Sequence, residues 1–213
     1  MIDGIATWLV EGIRPYNGLN GLNLVPFNLV IKRISVIHAQ SFRGLLGPLL
    51  MVLSFTAQAG DLKPGDSAPA FELTDQHGKI HALSDYQGQW LVVYFYPRDD
   101  TPGCTREACE FRDDFVLLQR MGVGLLGISL DAVKSHKEFA EKYHLPFALL
   151  SDSKGEVARA YGSLWKLGPI RFARRHTFII NPRGSIAKVY RSVAPETHTD
   201  EVVKDLEILI SEQ

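Results

Sequence analysis

The sequence predicts an α/β fold in which helices cover both faces of a mixed β-sheet. Two continuous apolar runs, at residues 90–95 and 123–130, are typical of strands that are buried on both faces. Stretches with apolar residues at helical spacing follow these runs, as expected when strands and helices alternate. The chain has 213 residues, of which 46% are hydrophobic and 22% charged, so it can form one well-packed domain.

The first half of the predicted domain begins with a hairpin. In chain order, this half is predicted to contain strands at residues 71–74 and 79–83, a helical turn at 84–86, a strand at 90–95 and a helix at 104–121. The first two strands flank a polar turn that ends in Gly78, which is typical of a hairpin. The helix is predicted because Phe111, Phe115 and Leu118 recur at helical spacing.

The second half alternates strands with helices and ends in another hairpin. It is predicted to contain strands at 123–130, 147–150, 176–180 and 186–190, and helices at 135–143, 156–161 and 202–210. Ser135 is expected near a helix cap, and the Asn-Pro-Arg-Gly sequence at 181–184 is a strong turn signal. This order indicates a thioredoxin-like sandwich with a mixed central β-sheet and an N-terminal β-hairpin extension, over residues 60–213.

Residues 1–59 form a separate N-terminal extension with the pattern of a secretory signal. An apolar run at residues 44–57 follows a basic flank and ends in Ala57-Gln58-Ala59, which predicts cleavage after residue 59. The flank consists of Lys32, Arg33 and Arg43. The run is short and interrupted by Pro48, so we expect no stable membrane insertion of the mature chain.

The position of this run leaves other interpretations open. About 30 residues precede it, although signals of this kind usually run to about 15–30 residues in total. A start codon assigned upstream of the true one would explain residues 1–30. A disordered tail or an organelle transit segment are the alternatives. The expected location is therefore periplasmic or secreted, with the cytoplasm as the alternative.

Charge and cysteine content exclude several classes of protein. The formal net charge of -1 argues against nucleic-acid binding by phosphate neutralisation. Two cysteines are too few for a disulfide-stapled scaffold. His77 and His81 lie near a Gly-Lys turn, but their spacing alone does not indicate a metal site. We expect no metal and no cofactor.

Both cysteines follow the first buried strand, in a segment that predicts a reactive thiol. Thr101 is a good N-cap and Pro102 is favoured at the first helical position, so Cys104 occupies the third. Free N–H groups and the positive end of the helix dipole stabilise negative charge there, which favours the nucleophilic thiolate. Gly103 allows close backbone approach, and Pro97 can shield the sulfur from water. An inert buried cysteine is the alternative.

The sequence Y-P-R-D-D-T-P-G-C-T-R-E-A-C-E-F-R-D at residues 96–113 resembles the active-site segment of the peroxiredoxins. It is most similar to the bacterioferritin-comigratory-protein, or PrxQ, subgroup, whose second cysteine lies five residues after the first. The resemblance covers about residues 61–213. It includes F-A-L-L-S-D at 147–152 and R-H-T-F-I-I at 175–180, which resembles the strand that supplies the family's active-site arginine.

This resemblance implies a thioredoxin-dependent, atypical 2-Cys peroxidase that uses no cofactor. Cys104 would be the peroxidatic cysteine and Cys109 the resolving one, with an intramolecular disulfide between them. Thr101 would bind the peroxide, Pro97 would shield the pocket and Arg175 would complete the site. The implied partners are a hydroperoxide and thioredoxin or a similar dithiol, and the subgroup favours a monomer.

The sequence leaves three further points open. Strand alternation places Arg174 and Arg175 on opposite faces, and the register with Phe178 favours Arg175 for the site. Glu107 is interpreted as a solvated helix residue. A thiol–disulfide oxidoreductase of the same fold and a redox-sensing interaction protein are the alternative functions, although the first would require C-x-x-C rather than the C-x-x-x-x-C of this chain.

Overall fold

The computed structural model describes residues 61–212, which contain nine β-strands, five α-helices and one 3-10 turn at Leu83–Tyr86. The strands are β1 Glu72–Asp75, β2 Ile80–Ala82, β3 Trp90–Phe95, β4 Val123–Ser129, β5 Ala148–Ser151, β6 Leu164–Leu167, β7 Ile170–Ala173, β8 His176–Ile180 and β9 Ile186–Tyr190. The helices are α1 Pro102–Asp113, α2 Phe115–Arg120, α3 Val133–Tyr143, α4 Glu156–Ala160 and α5 His198–Ser211. The predicted signal segment lies outside these residues.

Seven strands form one mixed sheet in the order β2-β1-β5-β4-β3-β8-β9. Strands β3, β4 and β5 are parallel, whereas β8 pairs antiparallel with β3, and β1 pairs antiparallel with β2 and β5. All six residues of β3 are buried. The mixed sheet and the N-terminal hairpin of the predicted fold are both confirmed.

The core lies on both faces of β3. Val92 and Tyr94 belong to one apolar cluster, while Val93 and Phe95 belong to the other, as the alternation of a strand requires. Fully apolar strands are stable here because helices cover both faces of the sheet.

The predicted helix boundaries differ from the structure in several places, and the last helix begins at His198 rather than at residue 202. The helix expected over 104–121 is interrupted at Asp114, which has φ -92° and ψ 0° and separates α1 from α2. Aspartate is disfavoured in helix interiors because its side chain competes for the hydrogen bonds of the backbone. The break lets Phe115 pack against Phe147, with 5.9 Å between ring centroids. Ser135 does not cap α3, which begins after Ala132; its hydroxyl donates to Asp99 instead.

The hairpin β6–β7 was not predicted from the sequence. Its two strands form a separate sheet, paired from Leu164 with Ala173 to Leu167 with Ile170. Residues 163–174 lack the apolar–polar alternation of a half-buried strand, because apolar and basic side chains are both exposed there. The turn dipeptide Gly168-Pro169 was the one available signal.

None of the helices within residues 61–212 combines the length and the apolar character that crossing a bilayer requires.

Candidate active site

Cys104 lies in the first turn of α1, directly after the loop that leaves β3. Thr101 is the N-cap and Pro102 the first helical residue, so Cys104 is the third, as predicted. The Thr105 amide donates to the Thr101 carbonyl at 2.8 Å, which closes the first turn. Cys104 is 2% exposed. The position at the positive end of the helix dipole stabilises an ionised sulfur.

The Thr101 side chain does not cap α1. Its hydroxyl donates to the Arg98 carbonyl at 3.1 Å, and no side-chain cap hydrogen bond forms. The N-cap position was therefore predicted correctly, but the cap interaction was not. Because the hydroxyl proton is directed to Arg98, the lone pairs of Oγ1 can accept a hydrogen bond from another molecule.

Arg175 brings a fixed positive charge to the sulfur. It lies between β7 and β8, and its Nη2 donates to Cys104 Sγ at 3.2 Å. Arg174 is exposed whereas Arg175 is partly buried, which agrees with the predicted opposite orientations. Gly103 makes room for this approach, because a Cβ atom there would lie 3.3 Å from Nη2 of Arg175 and the guanidinium would have to shift by a few tenths of an ångström. The structure thus brings Cys104, Gly103 and Arg175 together.

Glu107 is part of the site, and its interpretation as a solvated residue was wrong. Its side chain is fully buried and forms an ion pair with Nη1 of Arg175. Burial raises the pKa of Glu107 to about 7, although the Arg175 charge acts to lower it. The available signal was spacing, since a residue three positions after Cys104 lies on the same helix face.

A buried polar cluster fixes the loop between β3 and α1. Asp99 accepts hydrogen bonds from Tyr96 Oη at 2.8 Å and from Ser135 Oγ at 2.7 Å. The Nδ1 atom of His136 lies 2.9 Å from the same carboxylate, and the Asp99 amide donates to Asp131 at 2.9 Å. The N-terminus of α3 therefore braces the loop that carries Thr101.

The next residue is held by the other end of α3. Asp100 has φ +54°, a left-handed conformation that non-glycine residues adopt infrequently. Its carboxylate accepts hydrogen bonds from Lys142 Nζ at 2.7 Å and Tyr143 Oη at 2.6 Å. Both ends of α3 thus fix the backbone that presents Thr101 and Cys104.

Cys109 lies on the same helix as Cys104. Both thiols are free, Cys104 buried and Cys109 partly exposed. Residues five apart on a regular helix have Cα atoms about 8.6 Å apart. A disulfide requires less than about 7 Å. Bond formation between these two sulfurs therefore requires α1 to unwind.

The remaining candidate residues lie as follows. Pro97 is partly buried in the loop after β3. His81 is buried, with Nε2 2.9 Å from Asp75 and Nδ1 2.7 Å from Tyr86, so it belongs to the N-terminal hairpin. Within the described part of the chain, no three histidine, cysteine, aspartate or glutamate side chains form a group able to hold a metal ion.

His198 lies near the site, and sequence reasoning did not identify it. It packs edge-on against Phe111, with centroids 6.0 Å apart, and its Nε2 lies 2.7 Å from Thr177 Oγ1. Burial and the nearby Arg175 charge lower the pKa of His198 to about 4. It is therefore neutral at neutral pH and adds no charge to the environment of Cys104.

Comparison with known proteins shows which family the chain resembles. The model of a family described as AhpC/TSA matches residues 64–189. The peroxiredoxin bcp of Coxiella burnetii is 43% identical over 148 residues, which cover 67% of this chain and 97% of that protein. The chloroplastic peroxiredoxin Q of Sedum lineare is 40% identical over 176 residues, 81% of this chain and 90% of that protein.

A solved structure of a bacterioferritin comigratory protein has a similar fold. The bacterioferritin comigratory protein of Xanthomonas campestris, determined in a study of its alkyl peroxide reduction activity, superposes with a TM-score of 0.65. The two sequences are 31% identical, and the match covers 70% of this chain and 99% of the other.

Proposed function

The chain belongs to the AhpC/TSA family, the peroxiredoxins, and we propose that Cys104 is the thiol with which it reduces hydroperoxides. It is a thiol peroxidase with a thioredoxin-like fold. One observation carries the assignment: the Cys104 sulfur combines a first-turn helix position with a guanidinium 3.2 Å away. A fixed cation and helix amides together favour the thiolate that peroxide chemistry requires.

The first step is attack of the Cys104 thiolate on the nearer peroxide oxygen. The S–O bond forms as the O–O bond breaks, so sulfur is oxidised by two electrons to the sulfenic acid and the distal oxygen leaves as water or alcohol after protonation. Arg175 and the first amides of α1 stabilise the negative charge that develops on the leaving oxygen. Thr101 Oγ1 accepts the hydrogen bond that orients the peroxide.

The second step joins the two cysteines. The Cys109 thiolate attacks the sulfenic sulfur of Cys104, and hydroxide leaves and is protonated to water as the disulfide forms. Because both residues lie in α1, the helix unwinds between them in each cycle. Pro97 shields the pocket while Cys104 is reduced.

The third step returns the enzyme to its starting state. A dithiol such as thioredoxin attacks the disulfide, becomes oxidised itself and releases both cysteines as thiols. Sulfur carries both electrons throughout, so the cycle requires neither metal nor organic cofactor. We propose that the protein works as a monomer, because one chain supplies every residue of the scheme.

We also propose that the mature protein works outside the cytoplasm, beginning at residue 60. The basic flank, apolar run and Ala57-Gln58-Ala59 sequence support export. N-terminal sequencing of the protein from fractionated cells tests this proposal. An intact N-terminus in the cytoplasmic fraction would contradict it.

Peroxide consumption coupled to thioredoxin oxidation tests the function. The wild-type protein is expected to consume hydrogen peroxide and organic hydroperoxides, and Cys104→Ser to consume neither. Insulin reduction, measured in parallel, tests for a thiol–disulfide oxidoreductase. Insulin reduction without peroxide turnover would contradict the proposal.

A further inference from the structure

The hairpin β6–β7 presents an apolar outer face. Leu167 pairs with Ile170 at its tip, and Trp165 pairs with Phe172 two positions back, so these four side chains lie on one face. The two aromatic rings stack with centroids 4.7 Å apart. Leu167 and Ile170 are 66% and 60% exposed, more than any other large apolar side chain in residues 61–212.

The opposite face of the same ribbon is cationic towards solvent and apolar towards the protein. Lys166 pairs with Arg171, and Leu164 pairs with Ala173, which is fully buried. Arg171 reaches back to the Ser153 and Lys154 carbonyls, at 3.0 Å each. Within the described part of the chain, neither Lys166 nor Arg171 forms an ion pair with a carboxylate. Both positive charges are therefore available to an anionic surface.

The surrounding sequence has one sign of charge. Residues 157–195 contain eight basic residues and no aspartate or glutamate, although the whole chain has a net charge of only -1. The eight are Arg159, Lys166, Arg171, Arg174, Arg175, Arg183, Lys188 and Arg191. Arg175, Lys188 and Arg191 form ion pairs with carboxylates elsewhere in the fold, and the other five attract an anionic surface.

We propose that this ribbon, Leu164–Leu167 with Ile170–Ala173, docks the protein on the surface of an anionic lipid bilayer. Leu167 and Ile170 enter the boundary between headgroups and acyl chains, with the Trp165 and Phe172 rings beside them. Lys166 extends its long side chain to the lipid phosphates, while Arg171, held by the Ser153 and Lys154 carbonyls, adds its positive charge to the electrostatic attraction. Apolar insertion and electrostatic attraction act together, which is the combination that surface binding of this kind requires.

Lipid fits the ribbon better than nucleic acid or a second chain. Nucleic acid would pair with the cations but would leave Leu167 and Ile170 in water. Face-to-face dimerisation would bury the apolar tips but would leave the Lys166 and Arg171 charges on the opposite face without an anionic partner. An anionic bilayer satisfies both features.

Docking would bring the reactive sulfur close to the bilayer. Arg175 lies five positions after Ile170, a span of roughly 17 Å along an extended chain. Arg175 contacts Cys104, so the thiol would lie within about this distance of the membrane surface plus the reach of the arginine. Binding itself does not depend on peroxide chemistry and can be tested without it.

A fluorescent label placed on the ribbon tests the proposal at the site of contact. In the full chain with Cys104→Ser and Cys109→Ser, an environment-sensitive fluorophore is attached at Leu167→Cys, and in a matched control at Val116→Cys, which is also exposed. With phosphatidylcholine vesicles that contain phosphatidylglycerol, emission should rise and shift to the blue for the label at position 167 only. The change should weaken as salt is added. Equal responses at both positions, or none at 167, would overturn the proposal.

Vesicle cosedimentation gives a second measurement. The double variant Leu167→Ser and Ile170→Ser should show a partition coefficient lower by roughly tenfold or more, because two aliphatic side chains no longer enter the bilayer. The control Ile80→Ser with Val116→Ser should bind like the wild type, and thermal unfolding should confirm that both variants are folded. Unchanged partition of the tip variant would contradict the proposal. The proposal would also be contradicted if the wild type formed a dimer that did not bind vesicles and if the tip variant were monomeric.

Discussion

Nη2 of Arg175 lies 3.2 Å from the sulfur of Cys104, although 71 residues separate them in the chain. The helix start supplies the thiol and the link between β7 and β8 supplies the cation, so folding of the whole domain is needed to assemble the site. Glu107 forms an ion pair with this arginine, so its carboxylate and the sulfur of Cys104 contact the same guanidinium.

Replacement of Arg175 should slow peroxide reduction more than loss of an exposed arginine beside it. Arg175→Gln removes the charge and should lower kcat/KM by roughly a hundredfold or more. Arg175→Lys keeps the charge but loses the planar fork that contacts Cys104 and Glu107 together. Its kcat/KM should lie between those of the wild type and Arg175→Gln. Arg174→Gln is the matched control and should retain wild-type kinetics. If both glutamine variants were equally active, the assigned role of Arg175 would be wrong.

Glu107 should make the stability of the protein depend on pH. Its folded pKa of about 7 lies above its ordinary value of 4.5, so the folded state binds this proton more tightly than the unfolded state. The resulting stabilisation is complete below the ordinary pKa and is lost as pH rises through 7. The loss should be roughly 3 kcal/mol in the wild type and absent in Glu107→Gln.

Urea unfolding of both proteins at about pH 5 and about pH 8 measures this difference. His176 and His198, whose pKa values are lowered to about 4 by burial, titrate in both proteins and cancel in the comparison. Identical pH dependence in wild type and Glu107→Gln would contradict the buried, proton-binding carboxyl.

Cys109→Ser should separate the first chemical step from turnover. The variant is expected to form the Cys104 sulfenic acid at the wild-type rate and then to stall with thioredoxin, because no thiol within the helix can complete the disulfide. Stopped-flow fluorescence and trapping of the sulfenic acid by dimedone measure the first step. Full steady-state activity would exclude Cys109 as the resolving residue.

Oxidation should unfold part of α1. A Cys104–Cys109 bond cannot form on a regular helix, so amides over residues 104–111 should exchange hydrogen faster in the oxidised protein. The helix α3 provides an internal control, because neither cysteine belongs to it. Equal protection of α1 in both redox states would contradict the proposed unwinding.

Gly127 should be intolerant of any side chain. A Cβ atom at this position of β4 would lie 2.7 Å from the Tyr94 ring and 2.8 Å from Leu149. Gly127→Ala should therefore destabilise the protein by roughly 1–3 kcal/mol through overpacking. Gly124→Ala, in the same strand, meets Leu91 at 3.1 Å and Tyr86 at 3.2 Å and should cost less. Chemical denaturation of both variants decides between them.

Sequence patterns predicted the parts of the fold that depend on local order. The strand at Trp90–Phe95 and the helix start at Thr101–Cys104 follow from continuous apolar residues and from capping preferences. The register near Phe178 also indicated which of two adjacent arginines faces the site. The first two inferences needed only neighbours along the chain, whereas the choice of Arg175 also depended on the resemblance to the peroxiredoxins.

The burial of polar side chains against partners that are distant in the chain could not be predicted from the local sequence. Glu107 looks like a solvated helix residue until the helix is placed against the strand that brings Arg175. Asp99 and Asp100 look like loop residues, yet α3 fixes both from a distance of more than 30 residues. A charged side chain can be buried only with a partner, and the partner lies elsewhere in the chain.

The most direct test is the alkylation rate of Cys104 by iodoacetamide at neutral pH in Cys109→Ser, with and without prior hydrogen peroxide. A sulfur stabilised as thiolate by Arg175 and the start of α1 should react much faster than a free cysteine peptide, and one equivalent of peroxide should abolish the reaction. Alkylation no faster than that of the peptide, unaffected by peroxide, would contradict the account.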